Sequence, residues 1–471
     1  MIEARRLQRS FAEGLIAEQV GDLWEDWMRQ VDRVLEDEQI IATVYEALSK
    51  RRPKSRTRGR LGTPAEVVVR LLLLKHVRNW SFAVLEREVR ANLVYREFTR
   101  VGGDKVPDAK TLGRLALALG PEVVKQMHQR VVAIARENKI AVGRKMRVDT
   151  TVVETNIHYP TDSSLLGDGV RVLTRLMKNI TAIAGQVGTK LRNRARSVKL
   201  RVVEIARASR SKTDQGQQRM QKLYQKLLAA TGRVVGQAKR FVSEIADGTK
   251  RSTDVMEQAA LDGMKKEMET FLDRVKKVIQ QTRARVLGGN THVEGKLVSI
   301  FEPTTEIIRR GKASKPTEFG KMIKVQEAES QIIIDYEVFE KRPSDSDLLV
   351  PAIEIHQQQL GRVPDLAAGD AAFYSARGEA AAHKLGVKKV SVPNRSTKSE
   401  ERKRLQKQRW FKKGQQYRTG SEGRISLLKR RHGLNRCQYK GDSGMKRWVG
   451  FGVIGDNLIN MGRCLAARAK A

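Results

Sequence analysis

Between two long stretches of helical periodicity, the run Lys145-Met146-Arg147-Val148-Asp149-Thr150-Thr151-Val152-Val153-Glu154-Thr155 shortens the repeat to two residues. Its alternation and its β-branched content are strand chemistry. Met146, Val148, Thr150 and Val152 share one face, while Arg147, Asp149, Thr151 and Val153 share the other. An acid inside such a strand needs a partner, which makes Asp149 the first candidate for chemistry and Glu154 its decoy.

Upstream, apolar residues recur at helical intervals through Ile16, Val20, Leu23, Trp27, Val31, Val34 and Leu35, and predict two helices before about residue 50. The basic segment that follows contains Arg51, Arg52, Lys54, Arg56, Arg58 and Arg60, broken by Pro53 and Gly59. It reads either as an exposed arm lying on phosphates or as a solvated linker. Thr63-Pro64-Ala65-Glu66 predicts a helix start, with Thr63 as cap and Glu66 reaching back to it, and the helix runs to about Val77. Ser81 and Asp108 open two more, carrying Phe82, Leu85 and Val89, then Leu112, Leu115 and Leu117. Three short helices with Arg and Lys outside fit a helix-turn-helix DNA reader or a packing module.

From about Asp168 to Gly288 helical periodicity returns in a Pro-free, Lys/Arg/Gln-rich stretch, with Val170, Leu173, Leu176, Met177 and Ile180, then Met220, Leu223, Leu227, Leu228 and Val234. It predicts a helical insertion, bundled or coiled, whose basic surface faces DNA, a second subunit or solvent. Strands are then expected at Lys296–Ile300, Phe319–Val325 and Gln331–Phe339, followed by a helix from Ser346 to about Gln359. A short strand from Val363 ends in Asp370, a helix follows from about Ser375 to Leu385, and Val387–Pro393 is one more strand. The last helix places Arg418, Glu422 and Lys429 on one face. Open α/β sheets bind ligands beside the carboxyl ends of their strands. If the Asp149 and Asp370 strands are adjacent, and the Glu422 helix covers that edge, three carboxylates converge. Hard cations such as Mg²⁺ use oxygen ligands of this kind.

Charge narrows the partner. The 471-residue chain carries a formal net charge of +38, spread along its length. That much one-sign charge costs self-repulsion, so a polyanion, first of all nucleic acid, is the expected partner. A membrane is not expected, since no apolar run approaches the roughly 18 to 20 residues a spanning helix needs, and no signal peptide opens the chain. Cys437 and Cys464 are the only cysteines and form no CxxC pair, which argues against a disulfide scaffold or thiolate zinc site and for a reducing compartment. His432 and Cys437 read as packing residues.

Taken together, Arg147-Val148-Asp149-Thr150, Gly369-Asp370-Ala371-Ala372-Phe373-Tyr374-Ser375, and Arg418 with Glu422 and Lys429 resemble the DDE transposases of bacterial insertion sequences. Glu154-Thr155-Asn156-Ile157-His158-Tyr159-Pro160-Thr161, Lys315-Pro316-Thr317-Glu318-Phe319-Gly320 and Ile425–Arg430 add to the resemblance, which covers the chain from about residue 60. The family's last signature is Tyr, two residues, Arg, three residues, Glu, six residues, Lys. Here the tyrosine position holds Gln415, and the nearest tyrosine is Tyr417.

The resemblance implies an α/β fold: an RNase H-like catalytic core with an N-terminal all-α domain and a long helical insertion after the first core strand. The expected layout is a helical DNA-binding and dimerisation domain over 1–140, the first part of the core over 141–167, the coiled-coil-like insertion over 168–288, and the rest of the core over 289–471. It implies that Asp149, Asp370 and Glu422 bind Mg²⁺, with Mn²⁺ as substitute, and that Arg418 and Lys429 contact phosphate near the cleaved bond. The implied activity is cutting at terminal inverted repeats and strand transfer into target DNA, by a homodimer or larger synaptic assembly in the bacterial cytoplasm at the nucleoid. A structure-selective nuclease with the same core, or a catalytically inactive DNA-binding relic, are the alternatives.

Overall fold

Eight α-helices precede the first strand among the described residues of the computed structural model, which are 1–5, 11–51, 53–59, 61–211, 213–309 and 316–470. They are α1 (Phe11–Val20), α2 (Asp26–Val34), α3 (Glu38–Arg51), α4 (Ala65–Val77), α5 (Phe82–Ala91), α6 (Leu93–Phe98), α7 (Ala109–Ala118) and α8 (Pro121–Glu137). Three helices stand before residue 52 where two were expected. The extra break comes at Asp37, whose carboxylate accepts the Ile40 amide at 3.0 Å and starts α3 afresh. Ser81 and Asp108 cap α5 and α7 as expected.

The start of α4 differs from expectation: no side chain caps it, and Glu66 turns instead to Arg70, whose Nε donates to it at 3.1 Å. The reason is burial. Arg70 is wholly enclosed, and a buried guanidinium needs its donors satisfied, here by Glu66, Asp32 and the Phe98 carbonyl. The cations of α4 therefore lie inside rather than outside. Lys75 sits among the rings of Phe82, Tyr439 and Trp448, 5.0, 5.2 and 4.7 Å from their centroids, and burial pulls its ammonium down to about 8.

The chain divides into two units, Met1–Asn156 with Ile308–Ala471, and Ile157–Ile307. In the second unit, α9 (Asp162–Ala184), α10 (Ala195–Ala208), α11 (Asp214–Ala246) and α12 (Val255–Thr282) share one core that includes Leu166, Leu173, Leu227, Val234, Phe241, Met268 and Val275. Thr161 and Ser164 form a capping box that starts α9 several residues earlier than its apolar pattern suggested. The segment 296–300 is not a strand. Gln281 on α12 bonds both the amide and the carbonyl of Leu297 at 2.9 Å, supplying from a helix the partners a strand takes from its neighbour.

The first unit holds the sheet apart from the first two residues of its second strand. Its strands are β1 (Lys145–Glu154), β2 (Glu306–Arg309), β3 (Thr317–Glu327), β4 (Ile333–Val338), β5 (Leu366–Ala368) and β6 (Lys389–Ser391), in the order β2-β3-β1-β5-β6 with β4 also on β3. β1 runs antiparallel to β3 and parallel to β5, and β5 is parallel to β6. The sheet is mixed. The helices α13 (Leu349–Leu360), α14 (Ala376–Lys384), α15 (Glu400–Lys407) and α16 (Arg409–Arg431) follow in turn. α17 (Gly441–Ala469), absent from the elements expected by periodicity, is buried for most of its length and packs on α2, α4, α8 and β4.

Two consequences of this packing are measurable. Gly320 on β3 lies opposite Glu154, and a Cβ there would stand 2.1 Å from the Val153 carbonyl oxygen. Gly320→Ala is expected to cost about 1–3 kcal/mol by forcing the strands apart; an unchanged urea midpoint would show that they part freely. His128 is buried, its Nε2–H donating to the Ile333 carbonyl at 2.8 Å, and burial lowers its pKa to about 4. Between about pH 6.5, the value for an unfolded histidine, and about pH 4, the unfolded chain takes up a proton that the folded chain refuses. Stability is therefore expected to fall as the pH falls through that window, and His128→Gln to flatten the pH dependence of the denaturation midpoint.

Candidate active site

β1, which carries Asp149, and β5, which leads to Asp370, are neighbours in the sheet. The parallel register runs as far as Arg147 with Ala368; Asp149 lies two residues further along β1, and Asp370 two residues past the end of β5. Asp149 thus lies in the middle of β1, which runs on to Glu154 beside β3, while Asp370 stands just past the end of β5. Asp149 is 7 % exposed and accepts the Thr150 amide at 2.7 Å. Asp370 is half-buried and accepts the Ala372 amide at 3.0 Å, capping the turn after β5.

α16 lies on β1, β5 and β6 and carries Glu422. Two glycines let it approach. A Cβ on Gly414 would stand 2.5 Å from the Ser391 side chain, and one on Gly420 would stand 2.0 Å from the Arg147 guanidinium. Gln415, at the family's tyrosine position, donates to the Ser391 carbonyl at 2.6 Å and to the Gly369 carbonyl at 3.3 Å, next to Asp370. Arg147 donates to the Tyr417 carbonyl at 2.6 Å, lies 4.8 Å over the Tyr417 ring, and forms a two-pronged ion pair with Glu327 on β3. Arg424 continues the chain of charges. It binds both carboxylate oxygens of Asp456 on α17, at 2.9 and 3.1 Å. Glu327, Arg424 and Asp456 were not singled out by sequence, Gln415 was noted only as standing at the family's tyrosine position, and Arg147 only as part of the Arg147–Thr150 motif. The one available signal was Arg147, a cation inside the strand rather than at its end.

Glu422 itself faces outward. Its carboxylate accepts from Arg418 at 2.8 Å, and its side chain is 61 % exposed against 16 % for Arg418. Among the described residues no group of three or more His, Cys, Asp or Glu side chains stands close enough to hold a metal ion. In kind the donors suit a hard divalent cation, since all are carboxylate oxygens. In arrangement Asp149 and Asp370 come from neighbouring strand segments, and Glu422 bonds the arginine one turn before it on its own helix. With most of its side chain in solvent, Glu422 has room to leave that rotamer.

The basic candidates fall in several places. Lys429 lines a cavity of about 540 Å³ with Arg430, Asn435, Arg436 and Gln438. Arg436 also pairs with Glu154 at 3.2 Å, and the backbone of Glu154 bonds the 435–437 segment, so Glu154 is engaged in fastening a strand end. Arg51 ends α3, Lys54 and Arg56 lie on the short turn Pro53–Arg56, and Arg58 is exposed just beyond it. Arg56 pairs with Glu46 at 2.6 Å. Arg52 and Arg60 lie outside the described residues. Cys437 and Cys464 are both free thiols, and Cys437 is buried.

Residues 21–116 match the model of a family described as a transposase domain (DUF772), and residues 380–462 match that of a transposase DDE domain. The two matches support an insertion-sequence DDE transposase. No curated protein and no solved structure matches the chain. The first transposase match spans α2 to most of α7 and includes Arg51, Lys54, Arg56 and Arg58. The transposase DDE match contains Arg418, Glu422 and Lys429, while Asp149 and Asp370 lie before it. Both matched segments belong to the first unit, and the Lys75 cage joins them through Tyr439 and Trp448. Among the described residues no helix is long and apolar enough to cross a membrane.

Proposed function

We propose that this transposase binds the terminal inverted repeats of an insertion sequence, cuts them, and joins the freed 3′ ends to target DNA, using Asp149, Asp370 and Glu422 in an RNase H-like core. The observation that supports this reading is the parallel pairing of β1 with β5, which ends at Arg147 and Ala368, each two residues before one of the proposed acids. Asp149 and Asp370 would hold a divalent cation, Mg²⁺ or Mn²⁺, and Glu422 would complete the set by rotating away from Arg418. When bound, the cation supplies Lewis-acid stabilisation of the scissile phosphate and activates its nucleophile. Arg418, released by the same rotation, and Lys429 bind phosphate oxygens. Arg147 and Gln415 hold α16 against the strand ends so that Glu422 stays within reach. Arg51, Lys54, Arg56 and Arg58, with Arg52 and Arg60, are assigned to backbone contacts along an element end. Two ends have to be brought together, which favours a dimer or larger assembly.

The Arg418–Glu422 pair also favours a second reading, a DNA-binding relic in which this carboxylate only balances its neighbour. A labelled duplex ending in the element's inverted repeat separates the two. Mg²⁺-dependent nicking at the repeat boundary supports the enzyme, and salt-sensitive binding without any product supports the relic. Pre-cut ends offered with a target duplex then test joining; cutting without joining would make the protein a nuclease.

A further inference from the structure

We infer that the helical unit, Ile157–Ile307, carries a DNA-backbone site of its own, in a basic concavity between α11 and the segment that joins α9 to α10. The concavity has a volume of about 490 Å³. Arg233, Gln237 and Arg240 reach it from one face of α11, being spaced one turn apart, and Lys190, Arg192 and Arg194 reach it from the opposite wall. No carboxylate lines it. A row of lysines and arginines on one helix is ordinarily a solvated face. Here five cations from two separate segments surround one hollow, which is self-repulsive until an anion enters.

The wall is also built to stay in place. Gln237 is buried, and its Nε2 donates to the Lys190 carbonyl at 2.6 Å. Glu244 accepts the Thr189 amide at 2.9 Å and pairs with the buried Lys250, which in turn donates to the Val187 carbonyl. Gly188 has φ +69°, and a Cβ on it would stand 2.9 Å from Glu244. The nearby acid is therefore spent on fixing the loop, and the arginines beside it stay available. Guanidinium groups in this number suit the phosphodiester oxygens of a duplex.

This inference rests on DNA being the partner, and the test separates the two. The full-length protein is titrated by fluorescence anisotropy against a labelled duplex of the element's end and a duplex of unrelated sequence, over a range of salt. Arg233→Gln with Arg240→Gln, and Arg192→Gln with Arg194→Gln, are compared with Arg207→Gln and Lys222→Gln, a control that removes equal charge from exposed positions on α10 and α11. The pocket pairs are expected to weaken binding to both duplexes about tenfold and to lower the salt slope by roughly one for each phosphate that is no longer neutralised. The control is expected to change affinity by less than about twofold. Pocket variants that bind like the wild type or like the control would overturn the site while leaving DNA binding intact. A wild type that binds neither duplex would overturn the proposed function and this site together.

Discussion

Asp149→Asn, Asp370→Asn and Glu422→Gln are each expected to remove Mg²⁺-dependent cleavage while leaving affinity for the element's ends within about twofold. Changes merely beside a metal ligand cost roughly 10- to 100-fold, so loss of a ligand should exceed that. The substitutions are nearly isosteric. Asp149 and Asp370 each accept a backbone amide, and an Asn oxygen can still do so, so the fold is expected to survive. Glu422 is the discriminating position. It bonds Arg418 on the same helix and lies largely in solvent, so Glu422→Gln changes little in the folded chain. Wild-type cleavage in that variant, measured by release of labelled strand, would strike it from the site and leave the Arg418 pair as its whole role.

Asp456→Ala is expected to destabilise the first unit by about 3–5 kcal/mol, the usual cost of leaving one member of a buried ion pair behind. Arg424 is 5 % exposed and Asp456 1 % exposed, so neither charge can fall back on water. Arg424→Met with Asp456→Leu should recover most of that loss, because apolar replacement of both partners is often neutral. Recovery of the urea midpoint without recovery of cleavage would assign the pair to holding α16, two residues beyond Glu422. A double variant that cuts at the wild-type rate would show that α16 needs no such brace.

What could be read from sequence was whatever follows from local periodicity. The alternation in β1 gave the strand and both its faces, turn and cap residues gave Ser81 and Asp108, and the short strand expected to end at Asp370 is present but ends at Ala368, leaving Asp370 to cap the turn. Segments whose partners are remote were less legible. Leu297 and Ile300 look like strand residues, yet the backbone of Leu297 is served by Gln281 on a helix. Glu66 looks like half of a capping box, yet an enclosed arginine one turn ahead claims it. The expected adjacency of the strands that carry Asp149 and lead to Asp370 is seen in the pairing of β1 with β5, which stops at Arg147 and Ala368. The bracing of α16 by Arg147, Gln415 and Arg424 involves partners far away in sequence, and no local pattern announces it.

The sheet's central pairing has a cost in time. β1 zips to β3 between Glu154 and Gly320 at one end and Arg147 and Glu327 at the other, with the entire helical unit encoded in between. At typical synthesis rates of about 5–20 residues per second, β1 waits roughly ten to thirty seconds on the ribosome for its neighbour. During that interval its apolar face and open hydrogen-bonding edge are unprotected. The intervening helices, rich in local contacts, can close around their own core first. Poor yield of this protein in a fast-translating host, relieved by slowing initiation or by a holding chaperone, is the behaviour such a nascent chain should display.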